Sequence, residues 1–381
     1  MTLTIVNPAF ERSLREPDAL LDRYHSLTGW ADAVAACGVD VSVVQAFGVD
    51  AETRRGDVAY RFCRVRSGVT GVRDLERLAR DVADLRPDVL HVNGVDPWPL
   101  LALRRRLPQT PMVVQHHGGR PPRRLSRAGW LCGRALPAAD AVLFTTREQA
   151  EPWVEAGYVV MERVHAVLEA STRLQPLPRE AARVRTGLDG SPALLWVGRL
   201  DANKDPLTVL AGAERAAAKL PGLTLTMAYT DAPLLAQVQA RVEASAVLRN
   251  RVRLLGQVPH DELAAWFSAA DIFVLGSREE AAGYALIEAC ACGTTPVVTD
   301  IAPFRAIAGA ARVGVLWRPG DADDCARAVC HAAAMHGAVR REQVLAHFRA
   351  RLSWSAVASQ ACAVYRDLIT SRTLPGAERS A

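Results

Sequence analysis

Two glutamates stand eight positions apart in the segment REEAAGYALIEACACG, on either side of a glycine. Glu280 precedes Gly283, and Glu288 follows it within a pattern typical of a helix. Eight residues make a little over two helical turns, so a loop glutamate and one on the inward stripe of the helix could face one ligand. Because carboxylates accept paired hydrogen bonds, the spacing favours a ligand with several hydroxyls. Two surface glutamates, one of them near a helix N-terminus, would give the same sequence.

A second chemical pattern lies in WVGRLDANKDPLTVL. A predicted strand ends at Gly198, and Asp205 followed by proline is typical of a helix N-cap and first turn. Arg199 and Lys204 therefore lie beside a helix N-terminus, where free N–H groups favour anions. Two cations there suit a diphosphate, because each charge-assisted hydrogen bond contributes about 1.5–3 kcal/mol. Taken alone, this loop fits two solvated cations equally well.

Short β-branched runs alternate with helix-length segments in both halves of the chain. The runs are LTIV, DVSVVQAF, DVLHV, PMVVQ, AVLFT and VHAVL, then ALLWVG, LTLTMAY, VRLLG, DIFVLG, TPVVTD and VGVLW. Intervening segments such as LERLARDVADL have apolar spacing near the helical period. The alternation predicts an α/β protein with two Rossmann-like domains and parallel sheets, whose ligands lie at the carboxyl ends of the strands. The polar, proline-containing residues 169–192 are the predicted linker.

The composition is that of a globular protein with room for two cores, at 381 residues, 50% hydrophobic and 23% charged. The N-terminus MTLTIVNPAFERS lacks a signal-peptide pattern, and no run approaches about 18 uncharged apolar residues, so we expect a cytoplasmic protein. The eight cysteines lack C-x2-C spacing. Cys290 and Cys292 stand in a predicted helix without other ligands, which favours buried thiols over a metal site.

The net charge of +5 is unevenly distributed. No carboxylate stands between Asp96 and Asp140, and eight arginines do: Arg104, Arg105, Arg106, Arg120, Arg123, Arg124, Arg127 and Arg134. A solvated basic surface explains them, as does attraction to an anionic acceptor or to the inner membrane surface as a peripheral protein. Nucleic acid is disfavoured because no aromatic interleaving or known reader motif accompanies the arginines.

The sequence lacks the motifs of two other classes of nucleotide-binding protein. No two glycines are separated by one residue, so the G-x-G-x-x-G fingerprint of nicotinamide dehydrogenases cannot occur. Glycine is never followed by lysine, which excludes a standard P-loop. The sequence DAD at 321–323 opens a predicted helix after RPG, which favours an N-cap over a metal-binding carboxylate pair.

From Ala193 to about Asp321 the chain resembles the nucleotide-sugar domain of the retaining family-four glycosyltransferases, which have the GT-B fold. The matching segments, in family order, are VGRLDANKDP, VRLLGQVPHDELAAWFSAADIFVLGS, Glu280-x7-Glu288, ACGTTPVV and RPGD. In the first half, DVLHVNG, MVVQHHGG and AADAVLFTT resemble family strands. The C-terminal LSWSAVASQACAVYRDLI resembles the family's last helix, which crosses back onto the first domain.

The resemblance implies two Rossmann-like domains whose parallel sheets face a central cleft. An acceptor-side domain would span residues 1–170 with the returning helix at 354–372, and a nucleotide-sugar-binding domain would span 186–353. The implied activity is retaining, metal-free and cofactor-free sugar transfer from a UDP-sugar or GDP-sugar to an acceptor hydroxyl, in glycan, glycolipid or glycoconjugate assembly. The acceptor stays open, with anionic or lipid-linked molecules among the candidates. The alternatives are a non-catalytic sugar-nucleotide-binding protein and a glycosyltransferase of small-molecule natural products.

The resemblance also implies roles for individual charged residues. Arg199 and Lys204 would hold the donor diphosphate. Glu288 would bind the ribose hydroxyls, and Glu280 would bind the donor sugar. The family often has Glu-Gly-Phe-Gly where this chain has Glu-Ala-Ala-Gly from Glu280 onward.

A histidine and several smaller groups complete the implied site. His117 stands at the position of a histidine that lies near the donor sugar in the family, whereas we expect His116 to pack in the core. The base would lie near Gln257 and Val258. The other implied donor-binding residues are Gly198 at its strand end and Gly283, Tyr284 and Ala285, whose backbone amides would approach sugar or phosphate.

Overall fold

The computed structural model describes residues 1–66, 71–310, 312–335 and 337–373. Within these ranges the chain forms two compact units. The first unit contains Met1–Ala170 and the chain from Trp354 onward, and the second contains Ser171–Ser353. Each unit has its own β-sheet.

The first unit is built on a sheet that has eight strands within the described residues. They are β1 (Thr2–Asn7), β2 (Asp40–Phe47), β3 (Ala51–Arg55), β4 (Val58–Arg64), β5 (Val89–Asn93), β6 (Met112–Gln115), β7 (Ala141–Phe144) and β8 (Val164–Ala166). Their order is β3-β4-β2-β1-β5-β6-β7-β8, and every neighbouring pair is parallel except β3 with β4. Ligands of open α/β sheets bind at the carboxyl edge of the strands, which here includes the loops after β6 and β8.

Helices alternate with these strands. They are α1 (Pro17–Arg23), α2 (His25–Ala35), α3 (Val72–Asp84), α4 (Pro97–Arg106), α5 (Arg127–Ala135) and α6 (Arg147–Glu155), with short 3-10 turns at Leu136–Ala138 and Met161–Arg163. In α3 the apolar spacing gives one buried face, formed by Leu75, Leu78, Ala79 and Val82. The amphipathic pattern of LERLARDVADL is therefore confirmed as a helix that covers the sheet.

The second unit has a parallel sheet of six strands within the described residues. They are β9 (Ala193–Gly198), β10 (Thr224–Tyr229), β11 (Val252–Gly256), β12 (Ile272–Leu275), β13 (Thr295–Thr299) and β14 (Val315–Trp317), in the order β11-β10-β9-β12-β13-β14. Strands β9 and β12 are neighbours although β10 and β11 separate them in sequence. The order reverses between β9 and β12, so the loops that follow them, residues 199–205 and 276–283, lie at the topological switch point.

The helices of the second unit complete its α/β alternation. They are α7 (Arg179–Thr186), α8 (Pro206–Ala217), α9 (Leu235–Glu243), α10 (Ala246–Arg249), α11 (Leu263–Ala269), α12 (Tyr284–Ala291), α13 (Ala302–Ile307), α14 (Ala322–Met335) and α15 (Ala338–His347), with short helical turns at His260–Glu262 and Phe348–Leu352. Together with the first unit they confirm the predicted fold class, an α/β protein with two Rossmann-like domains.

The C-terminal helix α16 (Trp354–Thr373) belongs to the first unit, as the resemblance implies. Its Tyr365 hydroxyl lies 2.6 Å from Nδ1 of His91, a buried residue of β5. At Gly29 in α2, an added Cβ would lie 2.5 Å from the Trp354 ring. The absence of a side chain at Gly29 therefore allows α16 to pack closely on α2.

The predicted linker at 169–192 is wrong in part, because it contains helix α7. The carboxylate of Asp271 accepts hydrogen bonds from Arg179 and Arg183 of α7 and from the backbone N–H of Ala193 at 2.9 Å. Asp271 is almost fully buried, so these groups compensate its charge. The ion pairs fix α7 in the second unit, which therefore begins at Ser171 and not at residue 186.

Candidate functional site

Asp205 organises the loop that follows β9. Its backbone has a φ of 43°, in the left-handed region that aspartate tolerates better than most residues. Its side chain caps α8 by accepting from the N–H of Thr208 at 3.3 Å and from the Thr208 hydroxyl at 2.8 Å. The other carboxylate oxygen accepts from Arg278 at 2.7 Å. One residue thus starts α8 and holds the loop that follows β12.

Asn203 joins the two loops at the switch point a second time. Its side-chain oxygen accepts from the N–H of Glu279 at 3.0 Å, and its amide nitrogen donates to the Glu279 carbonyl at 2.9 Å. Gly276 permits this approach, because a Cβ there would lie 3.0–3.2 Å from the carbonyl oxygens of Asp205 and Lys204. The residues predicted to bind a ligand therefore stand on two loops that are fixed to each other.

Lys204 and Glu280 form an ion pair across these loops, between Nζ and Oε1. Their side chains are 16% and 12% exposed, so the pair is largely desolvated. Arg199 pairs with Asp201 at 3.1 Å and stays more than half exposed. The structure thus brings the predicted phosphate ligand Lys204 into contact with the predicted sugar ligand Glu280, with Arg199 on the same loop.

Helix α12 begins at the predicted glycine. Gly283 has a φ of 67°, and a Cβ there would lie 2.9 Å from Ile307 and 3.1 Å from Phe304, so both its conformation and its surroundings favour glycine. Tyr284 and Ala285 follow in the first turn, where backbone N–H groups have no acceptor within the helix. The Tyr284 side chain is exposed.

Glu288, one of the two glutamates that define the motif, is buried on α12 and contacts His260. The distance between Nε2 of His260 and Oε1 of Glu288 is 2.8 Å. His260 comes two residues after Val258, on the segment that follows β11 and that also carries the exposed Gln257. Sequence reasoning missed His260, although it directly follows the residues predicted to lie near the base.

We expect the stability difference between wild type and His260→Gln to depend on pH. The hydrogen bond that His260 donates to Glu288, reinforced by the charge of the carboxylate, raises the pKa of His260 above the ordinary value of about 6.5. The resulting stabilisation is complete below about pH 6.5 and is lost as the pH rises through the raised pKa. Because His260 is half exposed, the difference is about 1 kcal/mol or less. Urea unfolding of both proteins across this pH range measures it, and a pH-independent difference would contradict the assignment.

In the first unit, the adjacent histidines after β6 differ in environment. His116 is buried and stacks on Phe144 with ring centroids 4.6 Å apart, and burial lowers its pKa to about 4. His116 therefore packs in the core, as expected. His117 is partly exposed, and its Nδ1 contacts the carboxylate of Glu169, a residue that sequence reasoning missed.

The eight arginines between Asp96 and Asp140 do not act as one surface. Arg104 is directed into the unit, where it donates to the carbonyls of Ala138 and Thr110 and pairs with Asp140 at 2.7 Å. These contacts hold the last turn of α4 against the segments before β6 and β7, so Arg104 serves the fold. Arg105 pairs with Glu76 at 3.3 Å.

The structure tests the expectation that Cys290 and Cys292 are buried thiols. Cys290 and Cys292 are buried in and just after α12, and burial raises the pKa of both thiols to about 12. They are core thiols, as predicted.

Within residues 1–66, 71–310, 312–335 and 337–373, no helix has both the length and the apolar composition needed to span a bilayer.

The comparisons with known proteins agree with this architecture. The family model described as Glycosyl transferases group 1 matches residues 178–337, and the model described as Glycosyltransferase Family 4 matches residues 26–167. The D-inositol 3-phosphate glycosyltransferase of Thermobispora bispora is 30% identical over 64% of this chain and 60% of its own length. The GDP-mannose:cellobiosyl-diphosphopolyprenol alpha-mannosyltransferase of Xanthomonas oryzae pv. oryzae is 27% identical over 74% of each chain.

A solved structure shows the same fold at lower identity. The E. coli trehalose-6-phosphate protein bound with UDP-2-fluoro glucose aligns with a TM-score of 0.70 and 14% identity, over 97% of this chain and 99% of its own. The chain spans about 60% of the length of the Thermobispora relative. The two family models match the two halves in the order that the sequence motifs imply. The two halves of this chain thus match the glycosyltransferase group 1 and glycosyltransferase family 4 models, and the chain has the GT-B fold.

Proposed function

We propose that this protein is a retaining glycosyltransferase that moves a sugar from a nucleoside diphosphate sugar to an acceptor hydroxyl. The observation that carries the proposal is the contact of Lys204 with Glu280 on two hydrogen-bonded loops at the switch point of the sheet. One loop supplies cations beside the N-terminus of α8, and the other supplies a carboxylate before α12. A group suited to a diphosphate and a group suited to sugar hydroxyls are thereby adjacent.

The Lys204–Glu280 pair has a role in donor exchange. Without a donor, each charge compensates the other in a site that is largely closed to water. A bound diphosphate competes for Lys204, which leaves Glu280 to accept hydrogen bonds from the hydroxyls of the sugar. The site therefore avoids an unpaired desolvated charge both with and without its donor.

The chemistry needs stabilisation of a departing diphosphate. As the bond from the sugar to the diphosphate breaks, the anomeric carbon becomes cationic and negative charge grows on the leaving oxygen. We assign the stabilisation of that charge to Lys204 and Arg199, together with the N-terminus of α8. The acceptor hydroxyl attacks on the face from which the diphosphate leaves, and a diphosphate oxygen takes its proton. This route needs neither an enzyme nucleophile nor a metal ion.

The nucleotide end of the donor is assigned to α12 and to the segment after β11. Glu288 would accept hydrogen bonds from the ribose hydroxyls, in competition with His260. The exposed side chain of Gln257 and the half-buried Val258 would lie against the base. A uridine or guanosine donor is supported by the Xanthomonas relative, which is named for GDP-mannose, and by the E. coli protein, which holds a UDP-sugar.

A thermal-shift screen of UDP-sugars and GDP-sugars tests the proposal. A donor at about 100 times its dissociation constant adds about 2.7 kcal/mol of stability. A donor that stabilises the protein is then assayed for release of UDP or GDP in the presence of a chelator. Release supports a transferase, binding without release supports a non-catalytic sugar-nucleotide-binding protein, and no stabilisation by any donor overturns the proposal.

We further propose that the acceptor is lipid-linked and that the first unit binds peripherally to the inner membrane surface. Leu125 is fully exposed, and Trp130 on α5 is 58% exposed. Arg127 and Arg134 lie on the same face of α5 as Trp130, and the guanidinium of Arg134 is 5.1 Å from the centre of the Trp130 ring. Exposed apolar side chains flanked by cations suit the interface of an anionic bilayer. The Xanthomonas relative, named for a diphosphopolyprenol, supports this assignment over small-molecule glycosylation.

We expect the protein to float with anionic vesicles at low salt and less at high salt, because each nearby arginine contributes about 1 kcal/mol that salt screens. The double variant Leu125→Ser/Trp130→Ser should float less at both salt concentrations. Val184→Ser, which removes an exposed apolar side chain of the second unit, is the matched control and should float like wild type. Equal absence of the wild type from anionic and neutral vesicles would remove the membrane proposal and leave these arginines as solvated surface.

A further inference from the structure

Glu169 lies beside His117 at the carboxyl edge of the first sheet. His117 comes two residues after β6, and Glu169 comes three residues after β8. Strands β6, β7 and β8 are successive parallel neighbours, so both residues stand at the same edge. The Glu169 side chain is 5% exposed, whereas that of His117 is 44% exposed. A buried carboxylate thus holds one nitrogen of a ring that is partly open to solvent.

We propose that Glu169 is a positioning residue that fixes the tautomer and orientation of His117, an inference that rests on the proposed function. An ionised carboxylate only accepts hydrogen bonds, so the proton in this contact belongs to Nδ1 of His117. In the neutral ring, Nε2 is then left as the hydrogen-bond acceptor. The exposed part of the His117 ring therefore offers a hydrogen-bond acceptor at the carboxyl edge of the first sheet.

The surroundings of Glu169 argue that the carboxylate serves this contact and not the core. Val167, Leu168 and Ala170 on either side of it are buried. An apolar side chain in such surroundings is often at least as stable as a buried ion pair. The neighbouring His116 shows the contrast, because its ring stacks on Phe144 and its two nitrogens face backbone groups of Gly118 and Gly119. Of the two histidines, the one that reaches solvent is the one held by a carboxylate.

Nuclear magnetic resonance of the full-length protein labelled with ¹⁵N-histidine tests the tautomer without any substrate. Long-range ¹H–¹⁵N spectra show which ring nitrogen carries the proton, and His117→Ala identifies the signal of His117. We expect protonation at Nδ1 in the wild type and its release in Glu169→Ala and in the isosteric Glu169→Gln. A wild-type ring protonated at Nε2, or an unchanged signal in both Glu169 variants, would overturn the inference.

Turnover of a donor found in the screen tests whether Glu169 acts through His117. Glu169→Gln should lower kcat/KM on the order of 10–100-fold, as do losses of partners that orient functional histidines, with an unchanged Tm. In a His117→Ala background the same substitution should change kcat/KM less than about twofold, because coupled residues are not additive. Equal losses in both backgrounds would show a merely structural role. Glu162→Gln, an exposed glutamate before β8, is the control and should behave like wild type.

The two experiments separate the two proposals. If no sugar nucleotide is turned over, the proposed function fails, and the spectra still decide whether Glu169 fixes the proton of His117. If turnover occurs and the spectra show no dependence on Glu169, the positioning role fails and the proposed function stands.

Discussion

Lys204→Ala is expected to lower kcat for donor turnover on the order of 10²–10³-fold, by analogy with the removal of one donor from an oxyanion hole. Lys204 is held in a largely desolvated site by Glu280 and by the loop contacts of Asn203, so its charge needs little rearrangement as the diphosphate leaves. Water that fills the space of the deleted side chain supplies a weaker and more mobile dipole. Steady-state release of UDP or GDP, at saturating donor, measures the change.

Lys219→Ala is the matched control, because Lys219 is exposed just beyond the end of α8. It should retain wild-type turnover. Lys204→Ala also leaves the Glu280 carboxylate without its cation, and the double variant Lys204→Ala/Glu280→Gln separates that effect. It should recover thermal stability without recovering turnover. Wild-type kcat and donor affinity in Lys204→Ala would refute the role of Lys204.

Glu288→Gln is expected to weaken donor binding by about 10–100-fold, which corresponds to the loss of one hydrogen bond to a charged group. Glutamine keeps the shape and one acceptor oxygen, whereas it lacks the charge that favours paired ribose hydroxyls. The ribose does not react, so the lost contact affects ground state and transition state alike, and kcat should stay within a few-fold of wild type. Calorimetric titration with UDP and GDP measures the dissociation constant.

Glu243→Gln tests whether the loss is specific to the site, because Glu243 is an exposed glutamate at the end of α9. It should bind the nucleotide like wild type. A dissociation constant for Glu288→Gln that equals that of wild type would show that the ribose does not contact Glu288.

Most of the sheet could be predicted from the sequence, because buried parallel strands are continuous β-branched runs. DVSVVQAF and ALLWVG coincide with β2 and β9. The hairpin of β3 and β4 is absent from the predicted series, since AETRR is a charged edge strand whose composition resembles a loop. Helix α7 was interpreted as linker because its stability depends on ion pairs with Asp271, about 90 residues away.

The residue types of the site could be predicted, and its contacts could not. The motifs place Lys204 and Glu280 on strand-end loops, whereas their contact depends on β9 being the neighbour of β12. Sequence reasoning missed His260 and Glu169 for the same reason. The contact of His260 with Glu288, and that of Glu169 with His117, arise only from the order of strands and helices in the fold. A single sequence contains no local pattern for such pairs.

The central claim is retaining transfer from a nucleoside diphosphate sugar, and a time course of ¹H NMR spectra with a donor from the screen tests it most directly. The reaction is run in the presence of EDTA, with water as acceptor, and the anomeric signal of the released sugar is recorded before it equilibrates. We predict that the first product has the anomeric configuration of the donor. A first product of inverted configuration, or turnover that returns only on addition of a divalent cation, would contradict this account.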